Sequence, residues 1–155
     1  MTYRDWLQTV PQYFTGDPLW KVEAYRLGMF VADLAWTDVC KLAVDPRTRE
    51  LAGQLHRSAG SIVADIGEGY SRASHKDQAR FHEYALGSAR ESRNWYYNGR
   101  HILSEKVTNH RLELLTQCIR LLLTMIPSER QLALKEERRP YGSEEWMDNQ
   151  IPTVN

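Results

Sequence analysis

Apolar residues return every three or four positions along four long stretches of the chain, the spacing of helix faces. Val22, Tyr25, Met29, Ala32, Trp36, Val39 and Ala43 mark the first stretch, and Leu27, Phe30, Val31 and Leu34 give it a second apolar side. Asp17-Pro18 is an N-cap followed by proline at the first helical position, so a helix is predicted over about 17–43. Asp45-Pro46 repeats the signal and opens a second helix that ends around Tyr70 to Arg72. So short a connection makes the two helices antiparallel. Ser74, with Asp77 three residues on, caps a third helix reaching about Leu103, on which Phe81, Ser88, Trp95 and Ile102 form a heptad. Thr108 or Asn109 caps a fourth helix through Leu112, Leu115, Ile119, Leu122 and Ile126, and Pro127 stops it. Residues 128–138 predict a further short helix, and Arg138-Arg139-Pro140-Tyr141-Gly142 a turn; the tail to Asn155 is expected to be flexible. No strand pattern or internal repeat stands out. The fold class is therefore all-α, in three parts: an aromatic N-terminal arm (1–16), a helical body (17–127) and a C-terminal extension (128–155). Tyr3, Tyr13 and Phe14 predict an arm docked on the body or on a neighbouring chain, with Trp6, Leu7 and Val10 as the apolar side of a short helix ended by Pro11; a partly ordered terminus is the alternative.

The stretch Gln54 to Arg72 carries three faces. Leu51, Leu55, Ala59, Ile62 and Ile66 make a core stripe. Gln54, Arg57, Ser58, Ser61, Asp65, Glu68 and Arg72 make a polar stripe beside it. It reads as a hydrogen-bonded layer between helices, completed by Ser88 and by Glu91 answering Arg57 or Arg72; a solvated charged face is the alternative. Gly53, Gly60 and Gly67 stand a heptad apart on the third face. Each helical glycine costs about 1 kcal/mol relative to alanine, which makes sense where another backbone comes close, in this chain or another.

Composition narrows the partners. The chain has 155 residues, 42% hydrophobic and 26% charged, with formal net charge zero, a balance that argues against binding nucleic acid or membrane through overall charge. Cys40 and Cys118 lie in apolar helical contexts and are expected to be buried free thiols. The first residues lack a signal-peptide pattern, and Leu121 to Ile126, the longest apolar run, is too short to span a bilayer. A soluble cytoplasmic protein without membrane association is expected.

Reactive chemistry is sparse. His56, His75, His82, His101 and His110 form no E-x-x-H, H-E-x-x-H or comparable ligand pattern, and no C-x-x-C or phosphate loop is present. Asp65, Glu68 and Glu91 are better explained as arginine partners than as metal ligands. No enzyme, cofactor or metal is expected. Residues 72–100 do carry six basic side chains, Arg72, Lys76, Arg80, Arg90, Arg93 and Arg100, against three acidic ones. With Tyr96 and Tyr97 to stack bases, they form a candidate nucleic-acid surface, the alternative being a solvated, internally paired helix face.

Leu19-Trp20-Lys21-Val22, Gln54-Leu55-His56-Arg57-Ser58-Ala59, Asp65-Ile66-Gly67-Glu68-Gly69 with Arg72, Phe81, and Ala85-Leu86-Gly87-Ser88 with Glu91 resemble the four helix bundle protein family. Its members are also called intervening-sequence proteins, because some are encoded within insertions in large-subunit ribosomal RNA genes. The resemblance covers roughly 18–126 and implies an up-down-up-down bundle assembled into a ring-like homopentamer. It also implies kinship with accessory proteins of diversity-generating retroelements, pentameric bundles that bind nucleic acid and reverse transcriptase. The chain departs from the family at Asp65, where asparagine is usual, and at Gly67, where alanine is. The expected function is a non-enzymatic homo-oligomeric scaffold or adaptor for an unidentified protein partner, with RNA or DNA binding through the third helix as the alternative.

Overall fold

The computed structural model describes residues 2–138; residues 139–155, with most of the predicted turn and all of the tail, lie outside the described residues. Six α-helices and two short 3-10 turns make up the described part, with no strand. The arm holds α1 (Tyr3–Leu7) and α2 (Gln12–Thr15), and the body holds α3 (Glu23–Val44), α4 (Arg49–Tyr70), α5 (His75–Asn98) and α6 (Glu105–Glu137).

Two proline signals mark turns rather than helix starts. Asp17 caps Leu19 N at 2.8 Å, but the element it opens is the 3-10 turn Pro18–Lys21. Val22 is extended, and the α-helix begins at Glu23. The break lets Leu19, Trp20 and Val22 lie on the core. Asp45 likewise takes Arg47 N at 2.9 Å inside a turn, and α4 begins only at Arg49. Thr48 does not cap that helix, because its hydroxyl donates to the Leu42 carbonyl at 2.6 Å and closes the turn instead.

Ser74 caps α5 as the sequence predicts, its hydroxyl accepting from Asp77 N at 3.2 Å. The helix stops at Asn98 and passes through a 3-10 turn, Gly99–His101, short of the predicted end. The cap of α6 is Ser104, which accepts from Val107 N at 3.3 Å; Thr108 is buried within the first turn. Nor does Pro127 stop α6, which absorbs the predicted short helix and runs on to Glu137. Proline removes one N–H, here the partner of the Leu123 carbonyl. Leu123 and Pro127 both lie on the exposed side, while Ile126 and Ala133 keep the buried side continuous.

One core unites the long helices and the arm. Phe30, Leu42, Leu55, Ile62, Ile66, Tyr96, Leu115 and Leu122 are fully buried in it. Contacts between neighbours rise along one helix as they fall along the other. On α3 and α4, Gly28 meets Ile62 and Trp36 meets His56. On α4 and α5, Ser58 meets Ser92 and Gly69 meets Phe81. On α5 and α6, Lys76 meets Glu137 and His82 meets Glu129. On α3 and α6, Ala24 meets Cys118 and Asp38 meets Arg111.

The arm is docked. Thr2 and Asp5 form a reciprocal capping box, Trp6 is buried, and its indole donates to Asp33 at 2.9 Å. Tyr3 and Trp6 stand 5.4 and 5.2 Å from the Phe30 ring, aromatic pairing that adds to burial. Among the described residues no helix is long and apolar enough to cross a membrane.

Candidate interaction surfaces

The polar stripe of α4 divides. Ser58 is buried and accepts from Ser92 across the α4–α5 contact at 2.8 Å, while donating to its own Leu55 carbonyl at 3.3 Å. Asp65 accepts from Ser88 at 3.5 Å, a weak bond. Burial first, then the nearby Glu68, raises the Asp65 carboxyl above its ordinary value, and the Ser88 bond offsets part of this. Asp65, expected to meet a cation or face water, meets no cation among the described residues and is partly exposed. Glu68 and Arg72 pair on the surface, and Arg72 also lies over the Phe81 ring at 4.5 Å. Glu91 takes the Trp95 indole N–H at 3.0 Å on its own helix and meets neither Arg57 nor Arg72. Arg57 is exposed, and Gln54 and Ser61 are half-buried without side-chain hydrogen bonds among the described residues. The interhelical layer therefore shrinks to Ser58–Ser92 and Asp65–Ser88.

The strongest polar cluster lies elsewhere. Asp38, 2% exposed, accepts from Arg111 Nε at 2.8 Å and Nη2 at 3.3 Å, and from the Tyr96 hydroxyl at 3.0 Å. It ties α3, α5 and α6 together from inside. Burial and the adjacent Asp38 carboxylate drive the Tyr96 hydroxyl far up from its ordinary pKa. Tyr96 is thus a core residue and not a base-stacking platform. The signal was present in the sequence: Asp38 interrupts the apolar stripe Leu27, Val31, Ala35, Leu42. A second buried contact joins His82 Nδ1 to Glu129 at 2.7 Å, and His82 Nε2 has no hydrogen-bond partner among the described residues.

The heptad glycines are not closely approached within the chain. An added Cβ would meet nothing within 4 Å at Gly53 or Gly60, and only ordinary contacts at Gly67, with Leu19 at 3.6 Å. The tight helix crossings fall instead at Gly28, Gly69 and Gly99, where a Cβ would come within 3.0, 3.0 and 2.9 Å of Ile62, Phe81 and Leu42. Gly60 lies beside the arm, in an apolar hollow of about 430 Å³ with Trp6, Val10, Phe14, Met29 and Val63. On the same two helices Trp36 is 67% exposed, its ring 5.9 Å from His56.

The basic set of α5 is mostly engaged. Arg72 pairs with Glu68, Lys76 with Glu137 at 3.6 Å, and Arg80 with Asp77 at 3.3 Å. Arg90 and Arg93 make no ion pair among the described residues. Arg100 donates to the Tyr97 carbonyl at 2.8 Å and lies 4.0 Å over the Tyr97 ring. The basic surface is thereby reduced to Arg90, Arg93 and Arg100 around Tyr97.

Cys118 is buried, which pushes its pKa up to about 12. Cys40, expected to be buried, is exposed and donates to the Trp36 carbonyl at 3.3 Å. Among the described residues no three His, Cys, Asp or Glu side chains gather to hold a metal ion.

A model of the 23S rRNA-intervening sequence protein family matches residues 21–124 of the chain. A crystal structure of a protein of unknown function from the S23 ribosomal protein family of Bacteroides thetaiotaomicron has a similar fold, with TM-score 0.62 and 20% identity over 66% of this chain and 97% of that one. No curated protein matches.

Proposed function

The chain belongs to the 23S rRNA-intervening sequence protein family, and from that premise we propose that it is a non-enzymatic, homo-oligomeric scaffold built from an antiparallel up-down-up-down four-helix bundle. The observation that carries the reading is the outer α3–α4 face. Gly53 and Gly60 stand there with open space where a side chain would be, beside a largely exposed Trp36 and the apolar hollow under the arm. Glycine inside an exposed helix is costly without a contact to justify it. A second copy packed on this face supplies that contact, and five copies in a ring are the assembly the family resemblance implies. The bundle then serves as a rigid platform for a protein partner in the cytoplasm.

Light scattering tests the reading. The expected mass is about five times 18.1 kDa. Gly60→Leu is expected to disrupt the assembly while leaving the helical circular dichroism of the single chain intact. A mass of 18.1 kDa at micromolar concentration, or an unchanged oligomer in Gly60→Leu, refutes it.

Nucleic-acid binding is the second reading, favoured by Arg90 and Arg93, which make no ion pair among the described residues, and by the half-exposed Tyr97 beside Arg93. The surface pairs of Arg72, Lys76 and Arg80 count against it. Filter binding of RNA and DNA at low and moderate salt decides: binding must be present at low salt and fall steeply as salt rises.

A further inference from the structure

Between α5 and α6 lie two adjoining hollows of about 290 and 370 Å³ that share Tyr97 and Leu112 as their floor. Arg93 lines one end and Arg100 the other. The two guanidinium-bearing positions are seven residues apart, about 10 Å along the helix axis. Tyr97, 54% exposed, presents an aromatic face between them. Glu105 is the one carboxylate among the described lining residues. The Thr108 hydroxyl, buried in the wall of the same groove, has no hydrogen-bond partner among the described residues. The groove is thus matched to an occupant with anions flanking an apolar, flat centre.

The chain itself contains such a segment. Residues 143–148 read Ser-Glu-Glu-Trp-Met-Asp, three carboxylates around a tryptophan. We propose that the Arg93–Tyr97–Arg100 groove receives residues 143–148 of a second copy of the chain. Glu144, Glu145 and Asp148 answer the arginines, and Trp146 covers Tyr97 and Leu112. The distances require another copy. Trp146 is eight residues beyond Arg138, a reach of at most about 29 Å. Leu112 is 26 residues back along α6, about 39 Å at the helical rise. A chain therefore falls short of filling its own groove. A polynucleotide fits less well, because the cations that would continue the row, Lys76 and Arg80, already face carboxylates. The proposal shares with the homo-oligomer reading the need for a second copy but uses a different surface.

Fluorescence anisotropy tests it. A fluorescein-labelled peptide of residues 141–150 is titrated at low salt into the full chain carrying Glu144→Lys, Glu145→Lys and Trp146→Ala, which removes the chain's own competing segment. Saturable binding in the micromolar range is expected, weakened at least about tenfold by adding Arg93→Ala with Tyr97→Ala. Asn94→Trp, an exposed change that fills the groove without touching the core, is expected to block binding as well. Absence of saturable binding, or binding indifferent to both sets of changes, overturns the proposal. Displacement of the peptide by a ten-nucleotide single strand more tightly than by unlabelled peptide overturns it too and assigns the groove to nucleic acid. Peptide binding is read separately from the α3–α4 contact: an oligomer unchanged in Gly60→Leu, with the peptide still bound, removes the α3–α4 interface and leaves this groove standing.

Discussion

Replacing Asp38 with alanine is the most demanding test of the interior. The carboxylate accepts two bonds from Arg111 and one from Tyr96, and it is 2% exposed. Its removal strands the Arg111 guanidinium, whose side chain is 12% exposed, and orphans the Tyr96 hydroxyl. Breaking a buried ion pair from one side costs about 3–5 kcal/mol, and an unsatisfied hydroxyl about 1–3 kcal/mol. The two penalties share one acceptor and do not add, so the expected loss is about 3–5 kcal/mol. Set against a domain stability of about 5–15 kcal/mol, that is about a fifth or more. Urea unfolding followed by circular dichroism reads it at pH 7 and fixed protein concentration. With a slope of about 2 kcal/mol/M, the midpoint falls by about 2 M. Asp38→Leu combined with Arg111→Met then separates charge from volume, because removing both charges recovers the part of the loss that comes from the stranded guanidinium and leaves the cost of the Tyr96 hydroxyl. A cost below about 1 kcal/mol for Asp38→Ala, or no recovery in the double variant, would show that the triad does not hold the three helices as described.

Other outcomes follow from the same geometry. Gly69→Ala places a methyl 3.0 Å from Phe81 Cβ and 3.1 Å from the His82 ring, so overpacking of about 1–3 kcal/mol is expected in a thermal melt despite the better helix propensity. An equal or higher Tm would mean that the α4–α5 contact yields. Asp65→Asn is expected to raise the Tm at pH 7. The folded-state pKa of Asp65 is raised, so its ionised form weakens the fold fully above that pKa, and the penalty fades as pH falls through it toward the unfolded value. The gain from asparagine should therefore shrink on acidification through the carboxylate range; a gain independent of pH refutes the charge explanation. The Gly60 and groove experiments test the two surfaces separately.

Much of this chain was legible as a sequence. Apolar residues repeat at helical spacing over about six turns from Val22 to Ala43 and about four from Leu51 to Ile66, and burying such stripes decides helix existence almost regardless of neighbours. The aromatic arm was legible only in part: Tyr3 and Trp6 dock against Phe30 and Trp20, while Tyr13 and Phe14 stay exposed. Helix ends were not, because a cap signal states only that a hydroxyl or carboxylate can take an N–H. Whether Asp45 or Thr48 starts a helix or closes a turn depends on where the Leu42 carbonyl sits, and Pro127 is tolerated because tertiary packing holds the opposite side of α6. The polar chemistry depended still more on three dimensions. Asp38, Tyr96 and Arg111 come from three helices and up to 73 residues apart, so no periodicity within one helix announces their meeting. Arg72 and Arg80 meet Glu68 and Asp77 at the local i,i+4 and i,i+3 spacings the sequence offers, whereas Lys76 meets Glu137 only because α5 packs on α6. Local pattern determined which segments are helical and which sides are apolar. Only packing decided which polar groups pair across helices and which surfaces, around Gly60 and around Tyr97, remain for a partner, because those pairings are set by distances between helices.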